Sequence, residues 1–388
     1  DAEGYGVLYQ IGIVDYTTIE TKSKLEGARQ MNKVTVVLGG QAGSEGKGKF
    51  AGYLAREFGA SVANFMPNAG HTWVGDDGAV VLVQQLPQAV VNKDALLFIS
   101  AGSALEPDLL LNEIQKYGAH DRVIIHPRAM VIEERHRQAE AESLNRISST
   151  LKGCGHALAD KVSRNKNTKL AKDLIGEHPI GNYVVEQDQF ESALWDTMEK
   201  HPVMIECPQG YDLDINHGLE YPYCTSRQTI TAQAVADAGL PPQSVGEVVA
   251  VIRPYPIRVG NAYDEEGNQI GTSGSYLDSK EISWEEVARR SGTPIEEINE
   301  LTTVTKKVRR VFEPNWSRLR RMVRVNGVTQ IALNFANYID YSVYGCNKKS
   351  DITDKLWEFI HIIEREAGVP VTLIGTGPRN GDIIDLRK

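Results

Sequence analysis

The chain has 388 residues, of which 41 % are apolar and 24 % are charged, which is enough for one large or two medium-sized domains. The net charge of −9 argues against nucleic acid as a partner, so an anionic ligand must be bound by local basic clusters. We find no apolar run of membrane-spanning length, no signal-peptide pattern in residues 1–30 and no paired spacing among the cysteines. These features predict a cytoplasmic protein without a membrane partner.

The first convincing element is an apolar, β-branched run at residues 34–38, which predicts a buried strand. The glycine-rich sequence GGQAGSEGKGK follows, and apolar residues then recur at helical spacing from Phe50 to Phe58. Glycines let backbone N–H groups approach an anion, and a helix N-terminus adds partial positive charge, so this unit predicts a phosphate-binding loop. It is not a standard P-loop, because Phe50 stands where Ser or Thr would hold Mg²⁺.

Strands and helices are predicted to alternate along the rest of the chain. Strands are expected at 61–66, 79–83, 95–99, 123–126, 203–206, 248–253, 330–335 and 371–374. Helices are expected at 106–116, 133–147, 190–200, 284–291, 294–300 and 351–367. This alternation predicts an α/β protein with a mostly parallel, doubly wound sheet. We divide the chain into an extension at 1–30 and a single catalytic domain at 31–388.

A set of ordered motifs resembles the adenylosuccinate synthetases. The motifs are GGQAGSEGKGK, NAGHT, TLKGCGHALADK, CPQGYDLDINHGLEYPYCTS, TTVTKKVRR and GTGP. The resemblance covers roughly residues 32–388 and implies that family's P-loop-like fold, a mostly parallel central sheet flanked by helices. It also implies the family's reaction, in which aspartate is joined to the 6-position of IMP with GTP and Mg²⁺. A 6-phosphoryl intermediate forms first, and the amine of aspartate then displaces phosphate.

The resemblance also implies roles for individual residues. Taken alone, each of them has a simpler interpretation as an ordinary polar or basic loop residue. The implied catalytic residues are Ser44, His71, Gln209 and Lys47. Contacts to the phosphoryl donor are expected from Gly43, Glu45, Gly46, Lys47, Gly48, Lys49, Asn334, Ala336, Asn337, Gly375, Thr376, Gly377 and Pro378. Contacts to the purine substrate and aspartate are expected from Ser44, Asn68, Ala69, Thr150, Arg164, Gln209, Thr225, Val259, Gly260, Thr303, Thr305, Lys307 and Arg309. Arg164 would reach the neighbouring subunit of a homodimer, and Ser44 and the Gly70 carbonyl form the expected Mg²⁺ site.

The chain departs from the family at the glycine loop. Ordinary members read GDEGKGK, and their aspartate binds Mg²⁺ and accepts the N1 proton of IMP, whereas this chain has Ser44 at that position. A serine is smaller and uncharged, so it leaves room for a 2-amino group on the purine. This substitution predicts GMP or dGMP as the substrate. The group that accepts the N1 proton stays open, with an ordered water and the aspartate substrate as candidates.

A second departure lies in the segment LNFANYID at 333–340, where the family has TKLD. Asn334 aligns with the family's lysine, and Ala336 aligns with the aspartate that accepts hydrogen bonds from guanine. Losing that carboxylate removes the reason to prefer GTP, so we expect ATP or dATP as the donor, with Asn337 reading the adenine edge. Neutral drift at the end of a strand is the alternative interpretation.

Together the two departures resemble the bacteriophage branch of the family, the 2-aminoadenylosuccinate synthases. That resemblance implies that dGMP and aspartate give N6-succino-2-amino-2′-deoxyadenylate for 2-aminoadenine DNA, in the host cytoplasm. Two alternatives stay open at this point. One is an ordinary adenylosuccinate synthetase acting on IMP, and the other is a nucleotide-binding homologue that has lost catalysis.

Overall fold

The fold is organised by a nine-stranded sheet in the computed structural model, with the strand order β18-β17-β16-β10-β1-β9-β2-β5-β7. The structure describes residues 33–68, 70–143, 147, 149–264, 266, 268–276, 278–298, 300 and 308–387. Neighbouring strands of this sheet run parallel except β17 and β18, which are antiparallel. The predicted α/β class with a mostly parallel sheet is therefore confirmed.

The strands and helices of the described chain follow one another from the glycine loop to the carboxyl terminus. The strands are β1 Val34–Gly39, β2 Ala60–Ala63, β3 His71–Val74, β4 Val80–Val83, β5 Leu96–Ile99, β6 Ala104–Leu105, β7 Val123–Ile125, β8 Met130–Val131, β9 Val203–Glu206, β10 Val245–Ile252, β11 Ile257–Arg258, β12 Ala262–Tyr263, β13 Gln269–Gly271, β14 Glu281–Ile282, β15 Arg310–Phe312, β16 Gln330–Leu333, β17 Val371–Gly375 and β18 Ile383–Asp385. The α-helices are α1 Lys47–Leu54, α2 Pro107–Tyr117, α3 Glu134–Ser143, α4 Cys154–Ser163, α5 Gln187–Lys200, α6 Thr231–Ala238, α7 Trp284–Ser291, α8 Ile295–Ile298, α9 Trp316–Asn326 and α10 Asp354–Ala367.

Strand β1 shows why the central strands read as continuous apolar runs. Successive side chains of a strand point to opposite faces of the sheet. Val36 and Leu38 belong to one hydrophobic core and Val37 belongs to another, so apolar cores cover both faces of β1. A parallel sheet that is covered on both faces requires apolar residues at every position. This places β1 at the centre of the sheet and its glycine loop at the carboxyl edge.

The structure corrects several predicted elements. The strand expected at 79–83 pairs with β3 in a separate hairpin and does not join the central sheet. The helix expected at 133–147 is present over Glu134–Ser143, and residues 144–146 of that prediction lie outside the described residues. The sequence reasoning missed helices α4, α6 and α9. Within the described part of the chain, no helix has both the length and the apolar character needed to cross a membrane.

Candidate active site

The candidate site lies at the carboxyl edge of the sheet, where parallel α/β folds bind ligands. The glycine loop leaves β1 between two neighbouring strands, β9 and β10. The chain that follows β9 packs closely on this loop, since a side chain at Gly210 would lie 2.2 Å from the carbonyl oxygen of Gln41. On the other side, the Asn334 amide donates to the carbonyl of Glu45 (2.9 Å) from the end of β16. Chain segments that follow β9 and β16 thus both contact the glycine loop that follows β1.

The carboxylate of Glu45, which is fully buried, determines the shape of the glycine loop. Its Oε1 atom accepts the backbone N–H groups of Gln41 (3.1 Å) and Gly43 (2.8 Å), and its Oε2 atom accepts from Lys47 Nζ (3.1 Å). Gly46 begins helix α1 at φ 86°, a conformation that suits glycine. A side chain there would also lie 2.1 Å from the Asn334 amide nitrogen. The expected loop and helix N-terminus are therefore present, and Glu45 serves as an internal anchor of the loop.

His71 lies at the start of β3, against the beginning of α1. A side chain at Gly48 would lie 3.0 Å from the His71 Cβ atom, so glycine at this position allows the contact. The ring packs edge-on against Phe65, and burial lowers the pKa of His71 even though Glu206 opposes this shift. Its Nδ1 atom is buried without a hydrogen-bond partner and lies 4.0 Å from Glu206 Oε2. Burial thus favours the neutral form of this imidazole beside the glycine loop.

The two loop lysines have different environments. Lys47 is buried, and its Nζ atom lies beside Glu45. The Nζ atom of Lys49 donates to the carbonyls of Gly377 (2.5 Å) and Asp382 (2.8 Å), and burial lowers its pKa to about 7 although Asp382 opposes this shift. Lys49 thus ties the helix to the loop after β17. Its expected contact with donor phosphates stays a prediction, as does that of Lys47.

Ser44 is exposed at the tip of the loop, with a φ of 59°. The guanidinium of Arg309 donates to its hydroxyl, and the guanidinium of Arg253 donates to its carbonyl (3.3 Å). Arg253 is completely buried and forms a bidentate ion pair with Glu300, with nitrogen–oxygen distances of 2.5 and 3.0 Å. The structure therefore brings together the substituted loop position and an arginine predicted to bind aspartate.

A second group of predicted substrate residues meets at the start of α4. The Thr150 hydroxyl donates to the Asn68 side-chain oxygen (3.0 Å), which also accepts from Cys154 Sγ (3.0 Å). A side chain at Gly155 would lie 3.1 Å from Ser226 Cβ, which places the neighbouring Thr225 beside the same helix N-terminus. A helix N-terminus bordered by hydroxyl groups suits a phosphate, and the expected 5′-phosphate contacts stay a prediction.

Two further predicted residues lie at either end of this region. Gln209 has a φ of 57° and packs on the glycine loop, because a side chain at Gly39 would lie 2.6 Å from its carbonyl oxygen. Arg164 ends α4 in the left-handed conformation and is exposed. Gln209 thus borders the glycine loop, whereas Arg164 lies at the far end of a helix whose first turn borders the expected phosphate site.

The segment after β16 is more buried than its predicted role suggests. Ala336 is fully buried within the core, and Asn337 is 8 % exposed, with its carbonyl accepting from Thr293 (3.3 Å). Asn334 is also buried, and a side chain at Gly375 would lie 2.2 Å from its Oδ1 atom. Asn334 therefore joins the glycine loop to the loop after β17. Reading of the donor base by Ala336 and Asn337 stays a prediction.

The loop after β17 and the turn after β11 complete the predicted set. Thr376 is fully buried and donates to the Cys346 carbonyl (2.7 Å), while Pro378 is exposed. Gly260 lines an open cavity of about 480 Å³, and Val259 beside it is 42 % exposed. The other residues lining this cavity are Asn261, Tyr263, Glu281, Val308 and Arg310. Val308 and Arg310 are the chain neighbours of Arg309, so the cavity lies next to that residue.

Several predictions fall outside the described residues, namely those on residues 1–30, Ala69, Thr303, Thr305 and Lys307. Within the described chain, no group of three or more His, Cys, Asp or Glu side chains is arranged to hold a metal ion. The sequence reasoning missed Arg253 and Glu300. An arginine that directly follows a long apolar strand was a usable signal for Arg253, because a charge at such a position needs a partner.

The fold and the site together define a class of protein: a nucleotide-binding α/β protein in which a glycine-rich loop adjoins a partly buried histidine and is contacted by two arginines. The family model for adenylosuccinate synthetase matches residues 36–182 and 177–343. The chain therefore belongs to the adenylosuccinate synthetase family of carbon–nitrogen ligases.

Relatives from two branches of the family are similar to this chain. An adenylosuccinate synthetase of Methanococcus maripaludis is 35 % identical, over 91 % of this chain and 99 % of its own length. The N6-succino-2-amino-2′-deoxyadenylate synthase of Vibrio phage phiVC8 is 34 % identical, over 92 % of this chain and 99 % of its own length. A solved structure of the succinoaminodeoxyadenylate synthetase of cyanophage S-2L, bound to dGMP and to dATP as an energy donor, has a TM-score of 0.78 and 31 % identity, and covers 92 % of this chain and 96 % of its own.

Proposed function

We propose that this chain joins L-aspartate to the 6-position of dGMP with ATP or dATP as phosphoryl donor, giving N6-succino-2-amino-2′-deoxyadenylate. Overall identity does not decide between the branches, since the archaeal relative is 35 % identical and the phage relative 34 %. The observation that carries the proposal is Ser44. An exposed hydroxyl stands where ordinary members have a carboxylate, and it accepts a hydrogen bond from the guanidinium of Arg309.

The chemistry at Ser44 favours a purine with a 2-amino group. A carboxylate beside N1 and C2 would fill the space that this amine needs, whereas the serine hydroxyl is smaller and also accepts a hydrogen bond from an amine. The same substitution removes the group that takes the N1 proton in ordinary members. Because a serine hydroxyl is not a base near neutral pH, the proton acceptor in this chain is a different group.

The proposed reaction has two steps. The 6-oxygen of dGMP first attacks the γ-phosphorus of the donor, and the nucleoside diphosphate leaves. The amine of aspartate then attacks C6, and phosphate leaves as the new carbon–nitrogen bond forms. His71 would donate a hydrogen bond to the migrating phosphoryl group, Lys47 would balance its charge, and Gln209 would hold the 6-oxygen. Arg309 would bind a carboxylate of aspartate, for which its bidentate fork is suited.

The described residues fit a Mg²⁺ ion that is bound mainly by the nucleotide. Mg²⁺ in phosphoryl-transfer sites takes much of its coordination from phosphates and water, so a protein cluster of carboxylates is not required. The carbonyl of Gly70 is the protein ligand that we propose. Ser44 can serve as a second ligand only after Arg309 moves, because a guanidinium on its hydroxyl repels a divalent cation. When bound, the ion would balance the charge of the donor phosphates.

We also propose that the enzyme is a homodimer in which Arg164 reaches the 5′-phosphate of the partner's substrate. Support comes from the exposure of Arg164 at the end of α4 and from the phosphate region at the start of that helix. Two inactive variants, Arg164→Leu and His71→Asn, test this arrangement. Mixed in equal amounts, they should recover about a quarter of wild-type activity, since half the dimers would contain one intact site. No recovery on mixing would contradict a shared site.

The test of the main proposal is a direct competition of purines and donors. Purified enzyme, Mg²⁺ and aspartate are combined with dGMP or IMP and with dATP, ATP or GTP, and succino-purine formation is followed by absorbance. We expect a higher kcat/KM for dGMP than for IMP and a higher value for dATP or ATP than for GTP. We propose the cytoplasm of an infected host as the place of action, because this chain is similar to a phage enzyme.

The second candidate is an ordinary adenylosuccinate synthetase that acts on IMP. It is favoured by the similarity to the archaeal enzyme, which is as high as that to the phage enzyme. A kcat/KM for IMP above that for dGMP would establish it. Absence of product from either purine would instead indicate a nucleotide-binding protein without catalysis.

A further inference from the structure

The ion pair between the buried Arg253 and the partly exposed Glu300 makes additional contacts with two aromatic side chains. Arg253 directly follows strand β10, and its guanidinium lies 4.2 Å from the ring centre of Phe335. The Oε1 atom of Glu300 also accepts from the Tyr338 hydroxyl (2.9 Å). Replacing a buried ion pair with apolar side chains of similar volume often leaves stability unchanged or improves it. Stability alone therefore gives little reason for placing this pair beside the glycine loop.

Glu300 also lies next to the arginine that contacts Ser44. The backbone N–H of Arg309 donates to the Glu300 carbonyl (3.0 Å), and Arg309 Nε lies 4.0 Å from Glu300 Oε2. The guanidinium of Arg309 thus lies between the Glu300 carboxylate and the hydroxyl of Ser44. Arg253 bonds both oxygens of the same carboxylate and also donates to the carbonyl of Ser44. The pair thereby touches both partners of this contact: the Glu300 carboxylate lies beside Arg309, and the Arg253 guanidinium bonds Ser44.

We propose that Glu300 is a positioning residue, which, held by Arg253, fixes the guanidinium of Arg309 at the purine edge so that it receives the carboxylate of aspartate. Long arginine side chains lose rotamer freedom when they bind, and a fixed guanidinium loses less. Glu300 itself does not touch the substrate. This inference rests on the proposed role of Arg309 in aspartate binding.

The test measures the KM values for aspartate, dGMP and dATP in the variant Glu300→Gln and compares each with the wild type. This variant keeps the size of the side chain and removes its charge. We expect the KM for aspartate to rise about tenfold, because Arg309 loses its ordered position, while the KM values for dGMP and dATP stay within about twofold. A purely structural defect would raise all three constants together or reduce the amount of folded enzyme, and a rise in all three would overturn the proposal.

A double-mutant comparison shows whether Glu300 acts through Arg309. The variant Arg309→Lys should raise the KM for aspartate, and adding Glu300→Gln to it should raise that constant by less than about twofold more. Independent, multiplying effects would overturn the positioning role. The matched control is Glu313→Gln, which breaks another bidentate pair, that with Arg290 at 2.8 and 3.0 Å, without touching the site. Its three KM values should equal those of the wild type.

Removing the Glu300 charge leaves Arg253 buried without a counter-ion, so the single variant can fail to fold. In that case the double variant Arg253→Met/Glu300→Leu decides, since it removes both charges. It should show the same selective rise in the KM for aspartate, and an unchanged constant would overturn the proposal. If the wild type does not accept dGMP, the proposed purine specificity fails, and the same KM split is measured with IMP.

Discussion

The two substituted regions that suggested the function, around Ser44 and around Ala336, have opposite environments. Ser44 is exposed at the tip of a loop, and an arginine from a distant part of the chain contacts its hydroxyl. Ala336 is fully buried in the main hydrophobic core. A substitution at an exposed loop tip changes what the site can bind with little effect on packing. A substitution at a buried position changes packing and recognition together, so its sequence signal is harder to interpret.

The largest expected effect is on the stability of Ala336→Asp. Burying a carboxylate without a partner should lower the free energy of unfolding by about 3 kcal/mol or more, measured by urea denaturation. The control is Ala336→Asn, which has nearly the same volume without the charge. If the position reads the donor base, GTP should raise the melting temperature of Ala336→Asp more than ATP does. Equal effects of the two nucleotides would separate Ala336 from donor choice.

The next effect is on purine specificity in Ser44→Asp. The new carboxylate would fill the space of the 2-amino group and pair with the guanidinium of Arg309, so the ratio of kcat/KM for dGMP over IMP should fall about 30-fold or more. Ser44→Ala is the control, because it removes the hydroxyl without filling the space, and it should keep the preference for dGMP. A preference for dGMP that survives in Ser44→Asp would remove the steric explanation.

A smaller effect concerns Lys49, which ties helix α1 to the loop after β17. Burial lowers its pKa in the folded protein to about 7, from an ordinary value of 10.5. Below pH 7 the lysine is charged in both states, and above it the unfolded state binds the extra proton, so stability should rise with pH between about 7 and 10. Relative to Lys49→Met, the wild type should gain on the order of 1 kcal/mol per pH unit in this window.

The matched control for Lys49 is Lys93→Met, since Lys93 donates to a backbone carbonyl at the exposed surface (3.0 Å to Tyr117). Removing this exposed lysine should leave the pH dependence of unfolding unchanged. An identical pH dependence in wild type and Lys49→Met would show that Lys49 stays charged in the folded protein.

The smallest effect is expected at Thr150, which belongs to neither substituted region. Thr150→Val removes the hydroxyl that donates to Asn68 and keeps the size of the side chain. The loss of one hydrogen bond should raise the KM for dGMP about three- to tenfold and leave the KM for the donor unchanged. If the KM for the donor rises instead, the start of α4 belongs to the donor site.

Local patterns identified the elements that depend on neighbouring residues in the chain. The bounds of β9 and α7 agree with the sequence prediction, because each is a compact unit with a clear periodicity. Helix α9 was missed because its charged residues dominate the pattern, although Leu319 and Met322 are buried at helical spacing. The hairpin of β3 and β4 was missed because a strand pattern does not say which strand it will pair with.

The sequence by itself determined the glycine loop, the family and the substitution at Ser44, since each depends on residue identity at fixed spacing. Only the tertiary structure showed that Ala336 is buried, that Lys49 binds the loop after β17 and that Arg253 and Glu300 connect to Ser44. These contacts join residues that are far apart in the chain, such as Ser44 and Arg309. Their meeting depends on the order of strands in the sheet, which no local pattern encodes.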